Sequence, residues 1–519
     1  MPLQPFQPNT HSNDAYQTFS DLPVGAIIVD PITISQKYCR NVSGINREVP
    51  LVLKPQDESQ VAYIIQQANL HKIPLYPLST GKNWGLGSKL PVLNGCALVD
   101  LSLMNKILEI NPAQSYAVLE PGVTQGQLAR HLAEHFPNLT FNLTGTFGET
   151  SVLGNTLDRG DGGAGPRIDD LIGVRGYLGN GKSFAVGGHW GTGGKDTQHV
   201  FRYAAGPDLV GLFTQSNYAI TTQIIFRLMR RPERRYVIWG EVTNSALEPF
   251  FDTLDHLFAQ KVVPRTTFNL GYANRFLQAR TTLGDTSALV EQANNWNFFL
   301  IIDGAHIIAE AMCKKTESEI SQHCESTGHY LVDSHPAPSE RVPDFLRPIL
   351  QPLRGFPDYE SIQTVYKLTG TLIPENPNDL NVDETAFGMK SYIAVVPPSF
   401  RSISQAARII ADIRLKSGMN IKPSFFGDGR SLTTIHFRND DPDQVKAAEQ
   451  VELEIWNKMT EAGYPPYRVS IEQMERLCVL KEDSFEMVSQ LKTVFDPNGI
   501  LSPGRYIGFQ KKNPENLTH

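Results

Sequence analysis

The stretch that decides the fold is residues 76–88, which read YPLSTGKNWGLGS. Its apolar start is typical of a short strand. This strand runs directly into a loop with three glycines, small hydroxyl residues and one lysine. Closely spaced backbone N–H groups in such a loop form a concavity that binds anions, and glycine lets the backbone approach a phosphate. The pattern is not GxGxxG at the start of a helix, so it does not predict a Rossmann dinucleotide site. Alone, the loop is compatible with a phosphate site or with a plain structural turn.

Helical and strand patterns alternate on both sides of this loop. Residues 57–72 carry apolar positions at helical spacing, and residues 124–136 form an amphipathic helical pattern. Residues 96–104 and 116–124 have the composition of buried strands. Residues 150–230 are rich in glycine. The first part of the chain is therefore expected to mix strands, loops and helices.

The pattern of the sequence changes after Arg231. Residues 235–470 combine apolar strands with long polar helices, which indicates a second domain. The last 50 residues return to a helix followed by the Gly/Pro turn DPNGILSPGR.

Composition excludes several classes of protein. The chain has 519 residues, of which 40% are hydrophobic and 19% are charged, unlike a disordered protein. A net charge of -7 does not suit a nucleic-acid-binding protein. No apolar run reaches the roughly 18 residues of a membrane span, and the N-terminus lacks the pattern of a secretory signal. We therefore expect a cytoplasmic enzyme with no nucleic-acid or membrane partner and with five free cysteines.

Residues 176–183, GYLGNGKS, match the phosphate-loop pattern GxxxxGK[ST]. That motif needs a following helix, whereas the residues after Ser183 are rich in glycine and have no helical face. Asn180-Gly181 between two apolar segments instead predicts a hairpin with a type I′ turn. An ATPase is therefore not supported.

Other catalytic and metal-binding patterns are also weak. His131 and His135 lie four residues apart on a predicted helix, but no third ligand accompanies them, so we expect a solvated face and no metal. No GxSxG elbow supports a serine hydrolase.

Five motifs occur in a fixed order: residues 76–88, EPGVT at 120–124, SVLGNTLDRG at 151–160, GLFTQSNYAIT at 211–221 and DPNGILSPGR at 496–505. Together they resemble the vanillyl-alcohol oxidase/p-cresol methylhydroxylase family of FAD enzymes, in particular its 4-alkylphenol-oxidising branch. The resemblance extends over essentially the whole chain. It implies an α+β fold in which a two-subdomain FAD-binding domain, residues 1–232 and 467–519, carries an inserted α+β cap domain, residues 233–466.

The resemblance also implies which residues hold FAD. The glycine-rich loop would hold the pyrophosphate, the 151–155 segment would line the flavin, and the 217–221 strand would run beside the adenosine half. The implied cofactor-binding residues are Pro77, Ser79, Thr80, Gly81, Lys82, Asn83, Gly85, Thr146, Ser151, Gly154, Asn155, Asn217, Ile220, Thr221, Arg468 and Arg505.

Some members of this family attach FAD covalently, through a side chain of the phosphate loop or of the cap domain. The phosphate-loop position is Asn83, and the cap-domain position falls at Arg430 or Ser431. None of these side chains can form the bond, and His436 would require a shifted register. We therefore predict noncovalent FAD.

The resemblance implies a phenol substrate held as phenolate, because electron release from that oxygen drives hydride loss from the para carbon. Tyr467 and Arg468, with Arg505, would supply the donors to the oxygen. Arg468 and Arg505 could instead neutralise negative charge at the flavin N1–C2=O edge, whatever the substrate. The family's other tyrosine donor, which lies in the phosphate loop, is replaced here by Leu86.

The catalytic base is left open by the sequence. Thr146 stands where the family has an acid beside flavin N5, so Asp428 or Glu149 is the alternative base. Asp428 is equally compatible with a turn residue.

The implied activity is hydride transfer from a small aromatic substrate to FAD, with oxygen or a redox protein as electron acceptor. A homodimer is a further expectation. Leu86 leaves open a non-phenolic alcohol, an amine or a natural-product intermediate as substrate. A non-catalytic flavin-binding protein is the alternative outside the enzyme class.

Overall fold

The computed structural model describes residues 17–23, 26–145, 147–190, 194, 197–272, 295–332, 343–480 and 482–506. Thr146, one of the implied FAD contacts, lies outside these residues. The fold is α+β, and three main sheets organise it.

The first sheet places the glycine-rich loop. Its strands, in the order β1-β2-β4-β3, are β1 (Ile27–Ile28), β2 (Val52–Leu53), β3 (Leu75–Leu78) and β4 (Ala97–Asp100). β2 and β3 both run parallel to β4, so the loop that follows β3 emerges at the carboxyl edge of these strands. Ligands bind at that edge in open α/β sheets. The C-terminal segment returns here, since Leu501 pairs with Leu75.

The second sheet is antiparallel and has the order β11-β10-β12-β6-β5. Two short two-stranded pairs, β7–β13 and β8–β9, accompany it. The strands of this part are β5 (Ile107–Asn111), β6 (Tyr116–Leu119), β7 (Leu139–Thr140), β8 (Asp161–Gly162), β9 (Gly165–Pro166), β10 (Leu171–Leu178), β11 (Ser183–Gly187), β12 (Ala219–Arg227) and β13 (Met229–Arg230).

The third sheet has eight strands in the order β17-β14-β16-β15-β19-β20-β18-β21. They are β14 (Arg234–Thr243), β15 (Asn269–Tyr272), β16 (Asn295–Gly304), β17 (Ser326–Leu331), β18 (Phe387–Val395), β19 (Asn420–Phe426), β20 (Arg430–Arg438) and β21 (Pro466–Arg468). The predicted boundary at residue 466 falls inside β21, the edge strand that carries Tyr467 and Arg468. The division of the chain into domains stays a prediction.

Helices cover the faces of these sheets. They are α1 (Pro31–Tyr38), α2 (Glu58–His71), α3 (Gln125–His135), α4 (Val152–Leu157), α5 (Leu247–Ala259), α6 (His306–Ile320), α7 (Arg347–Arg354), α8 (Glu360–Thr369), α9 (Phe400–Ser417), α10 (Pro442–Glu461), α11 (Met474–Leu480) and α12 (Glu482–Phe495). Among the described residues, none of the helices is long and apolar enough to cross a membrane.

Alternation along β14 shows how the large sheet is buried on both faces. Successive side chains of a strand point to opposite faces. Ile238 joins the core that includes Phe250 of α5 and Ile410 of α9. Its neighbour Val237 joins a separate cluster with Leu350 of α7.

The predicted hairpin at residues 176–183 is present, but its predicted turn type is wrong. β10 and β11 pair antiparallel, which agrees with the rejection of an ATP-binding loop. The Gly181 N–H donates to the Leu178 carbonyl, and Gly181 has φ +84° whereas Asn180 does not have positive φ. This is a type I turn followed by a left-handed glycine, one residue longer than the type I′ turn. A tertiary contact favours it, because the Asn180 N–H donates to the Phe495 carbonyl at the end of α12.

The cysteine prediction agrees with the structure where it can be examined. Cys39, Cys96, Cys313 and Cys324 are free thiols. Within the described part of the chain, no group of three or more His, Cys, Asp or Glu side chains is placed to hold a metal ion.

Candidate cofactor and active site

A cleft opens where the glycine-rich loop, α4, the segment before β12 and the C-terminal segment meet. The residues that line it are widely separated in the sequence, from Tyr76 to Tyr506. The lining residues used below are Tyr76, Pro77, Ser79, Thr80, Gly81, Lys82, Asn83, Leu86, Ser151, Gly154, Asn155, Asp158, Thr221, Arg468, Arg505 and Tyr506.

Left-handed glycines give the loop its shape. Gly81 and Gly85 have φ +67° and +75°, a conformation that side-chain-bearing residues rarely adopt. A Cβ added at Gly81 would overlap Cγ of Lys89 and lie 3.1 Å from its Cε. The loop is closed by hydrogen bonds from the N–H groups of Leu86 and Ser88 to the Asn83 carbonyl, each 3.1 Å.

The start of α4 packs tightly against this loop. Ser151 caps the helix by accepting from the Gly154 N–H at 2.9 Å, and the Ser151 N–H donates to Thr80 Oγ1 at 3.1 Å. A Cβ at Gly154 would overlap the Ser79 hydroxyl. The two segments therefore form one wall in which a side chain at residue 154 would displace the loop.

Asp158, which is not among the site residues predicted from the sequence, lies at the centre of the cleft's polar wall. Its Oδ2 accepts from Arg468 Nη2 at 2.7 Å and from Asn83 Nδ2 at 2.8 Å. Its Oδ1 accepts from Arg505 Nη2 at 2.9 Å and from Tyr506 Oη at 2.7 Å. One carboxylate thus joins the glycine-rich loop, the edge strand β21 and the C-terminal segment.

The electrostatics of this cluster keep Asp158 ionised. Burial alone would raise its pKa, but the charges of Arg468 and Arg505 and the hydrogen bond from Tyr506 outweigh burial and lower the pKa. The second guanidinium nitrogen of Arg505 donates to Tyr76 Oη at 2.6 Å. Burial raises the pKa of Tyr76 although Arg505 opposes it, so this phenol stays neutral at physiological pH.

Tyr467 stands beside a second charged cluster. The Arg430 guanidinium lies 5.8 Å from the Tyr467 ring centroid, and its Nη1 pairs with Asp161 Oδ1 at 2.6 Å. Arg430 Nε donates to Asp428 Oδ2 at 2.9 Å. Burial raises the pKa of Tyr467, while Arg430, Arg159 and Arg468 lower it. In the described part of the chain the Tyr467 hydroxyl has no hydrogen-bond partner.

Most of the residues implied to contact FAD line the cleft. Three of them, and two of the catalytic candidates, do not. Gly85, Asn217, Ile220, Tyr467 and Asp428 do not line it. Asn217 is buried and donates to the Ser502 carbonyl at 3.1 Å, and Ile220 is a core residue. Asp428 occupies the turn between β19 and β20, where it also accepts from the Arg430 N–H. The roles of these residues stay predictions.

Lys82 and Glu149 have pKa values shifted toward neutrality. Burial and the neighbouring charge of Lys89 lower the pKa of Lys82 to about 8. Burial raises the pKa of Glu149, although Arg130 and Lys82 act in the opposite direction. A carboxylate of raised pKa is suited to accept a proton near neutral pH.

The chain is similar to known flavin-binding proteins. A family model described as FAD binding domain matches residues 49–187. The chain is 27% identical to 1′-carboxy-chondrochloren decarboxylase of Chondromyces crocatus, over 88% of this chain and 90% of that protein. It is 26% identical to the 4-cresol dehydrogenase (hydroxylating) flavoprotein subunit of Pseudomonas putida, over 86% and 85% of the two chains.

Two solved structures share the fold. The chain superposes on p-cresol methylhydroxylase with bound substrate with a TM-score of 0.84 and 23% identity, covering 96% of this chain and 98% of the other. It superposes on 4-ethylphenol oxidase from Gulosibacter chungangensis with a TM-score of 0.82 and 22% identity, covering 96% and 97%. The predicted α+β fold of this type is confirmed.

The residues of the cleft fit FAD, the cofactor of this fold. The matched segment includes both the glycine-rich loop and α4, which form one wall. The close contact of Gly154 with Ser79 leaves no room for a side chain at residue 154, which suits a site where backbone N–H groups approach a pyrophosphate. Two guanidiniums against one carboxylate leave the cluster around Asp158 with net positive charge, which suits an anionic cofactor.

Proposed function

Because the chain belongs to the vanillyl-alcohol oxidase/p-cresol methylhydroxylase family of FAD-dependent oxidoreductases, we propose that it oxidises a small aromatic substrate, a 4-alkylphenol or an aromatic alcohol. FAD supplies the chemistry of hydride acceptance when it is bound. The protein's part is to hold the substrate, stabilise its charge and take its proton.

One observation carries the proposal. Tyr467 offers a half-buried hydroxyl that no described residue uses, and three guanidiniums act on it, those of Arg430, Arg159 and Arg468. Burial is the largest influence and raises the pKa of Tyr467 overall, so its hydroxyl keeps its proton and can donate to a bound oxygen, while the guanidiniums partly offset the cost of a negative charge there. A phenol bound beside Tyr467 would have its developing phenolate stabilised by that hydroxyl and by these charges, and phenolate formation is what para-hydride loss requires.

The proton needs an acceptor, and of the two carboxylates considered, neither of which lines the cleft, we propose Glu149. Asp428 is engaged by the side chain and the N–H of Arg430. Glu149 is half-buried with a raised pKa, so it binds a proton near neutral pH more readily than an ordinary carboxylate. The electron acceptor, oxygen or a redox protein, belongs to the same proposal.

A second candidate is favoured by Leu86. This side chain lines the cleft at the position where the phenol-oxidising branch has a tyrosine, so one phenolate donor is missing. The relative from Chondromyces crocatus carries the name of a decarboxylase. A non-phenolic substrate, such as an alcohol, an amine or the carboxylic acid of a natural product, is therefore the alternative.

The experiment compares Tyr467→Phe with wild type by anaerobic stopped-flow reduction of the flavin. Losing one donor to a developing oxyanion typically costs about 10²–10³ in rate. We expect a loss of that size with 4-alkylphenols and a much smaller one with non-phenolic donors. Tyr464→Phe is the matched control, because the Tyr464 hydroxyl donates to the Ser402 carbonyl away from the cleft. Equal small losses for both substrate classes would contradict the phenolate proposal and favour the second candidate.

A further inference from the structure

We propose that Asp158 is a positioning residue that aims the guanidiniums of Arg468 and Arg505 at the FAD cleft and limits the positive charge that bound FAD experiences. The inference concerns the cofactor cleft, so it does not depend on which substrate the enzyme oxidises.

Asp158 differs from the candidate bases because its carboxylate oxygens already accept as many hydrogen bonds as they can. Oδ2 accepts two bonds from Arg468, at 2.7 and 3.1 Å, and one from Asn83. Oδ1 accepts from Arg505 and Tyr506. A carboxylate has about four lone-pair positions, and all are used here. Asp158 is therefore poorly placed to take a proton from a substrate, and its function is to orient its donors.

The orientation is enforced from segments that are distant in sequence. Arg468 also donates to Asn83 Oδ1 at 3.0 Å, so it is fixed to the glycine-rich loop as well as to Asp158. Arg505 is fixed between Asp158 and Tyr76. Both side chains are largely buried, with 10% and 19% of their surface exposed. Without the carboxylate, two like charges would remain close together in a buried wall, a costly arrangement.

The charge balance gives a consequence specific to a redox cofactor. Two guanidiniums and one carboxylate sum to one positive charge at this wall. Neutralising Asp158 would raise it to two. FAD gains negative charge on reduction, so the extra positive charge would stabilise reduced FAD more than oxidised FAD.

The test is the midpoint potential of the flavin in the Asp158→Asn holoprotein, measured by equilibration with reference dyes. We expect the ratio of the dissociation constants of oxidised and reduced FAD to rise roughly tenfold, a typical coupling between two sites. For a two-electron couple, that ratio corresponds to a potential higher by about 30 mV. A merely structural residue would weaken FAD retention and lower the melting temperature without moving the potential.

Two further variants keep the test decisive if Asp158→Asn folds or binds FAD poorly. Asp158→Asn/Arg505→Gln removes one charge of each sign, so its potential should return toward the wild-type value. Tyr506→Phe removes a neutral donor to Asp158 and should leave the potential close to wild type. An unchanged or lower potential in Asp158→Asn would overturn the proposal. The same shift in the double variant as in the single one would also overturn it.

Discussion

Gly81 provides a sharp test of the assignment of the cofactor loop, because the cost of a side chain there can be worked out from two contacts. Its φ of +67° would cost an alanine about 1–2 kcal/mol. The new Cβ would also overlap Lys89 Cγ, and crowding of a packed site typically costs about 1–3 kcal/mol. Lys89 cannot move away freely, since its ammonium donates to the Lys37 carbonyl at 3.1 Å and lies 4.8 Å from the Tyr38 ring centroid.

These costs affect FAD binding because the loop of the variant relaxes in the apoprotein and must be restored when FAD binds. If about 2–3 kcal/mol is recovered by relaxation, the dissociation constant of FAD rises roughly 30- to 150-fold in Gly81→Ala. Fluorescence titration of apoprotein with FAD measures this directly. Gly181→Ala is the matched control: it has φ +84°, but its added Cβ meets no heavy atom within 4 Å, and it lies in the hairpin of β10 and β11. The assignment would be refuted if Gly81→Ala bound FAD with the wild-type dissociation constant while Gly181→Ala bound it more weakly. That result would favour residues 176–183 as the phosphate loop.

The remaining predictions concern attachment and proton transfer. Acid precipitation should release all FAD into the supernatant. Arg430 is held by two aspartates, and His436 lies six residues along the same strand, about 20 Å from Arg430, so neither is placed to form the link. A yellow pellet would show a covalent bond. Glu149→Gln should slow flavin reduction by phenols at neutral pH, and the defect should shrink as the pH approaches about 10, where phenols ionise unaided. A defect that is constant across this pH range would exclude Glu149 as the base.

Local patterns predicted the elements that position the cleft. The helical periodicity of residues 57–72 corresponds to α2, Glu58–His71, whose buried face is Val61, Ile64, Ile65 and Ala68. Such patterns succeed because the spacing of apolar residues alone decides which face can be buried. The turn of the β10–β11 hairpin was mispredicted, because its length depends on the contact of Asn180 with α12, more than 300 residues away.

Side-chain contacts between distant segments could not be predicted from the sequence, because they also depend on the folded arrangement. Asp158 was present in the SVLGNTLDRG motif, but its donors come from residues 83, 468, 505 and 506. Only the folded sheets bring these segments together. Likewise, the pairing of Asp428 with Arg430 followed from the β19–β20 turn and not from either residue's type.

The central claim is that FAD in this cleft oxidises a phenol. The most direct measurement is the absorbance spectrum of the purified holoprotein during anaerobic addition of matched 4-alkylphenols and their O-methyl ethers, which cannot form a phenolate. We expect bleaching of the flavin band by the phenols and little or none by the ethers. Equal bleaching by both, or bleaching only by non-phenolic alcohols, amines or acids, would contradict the claim.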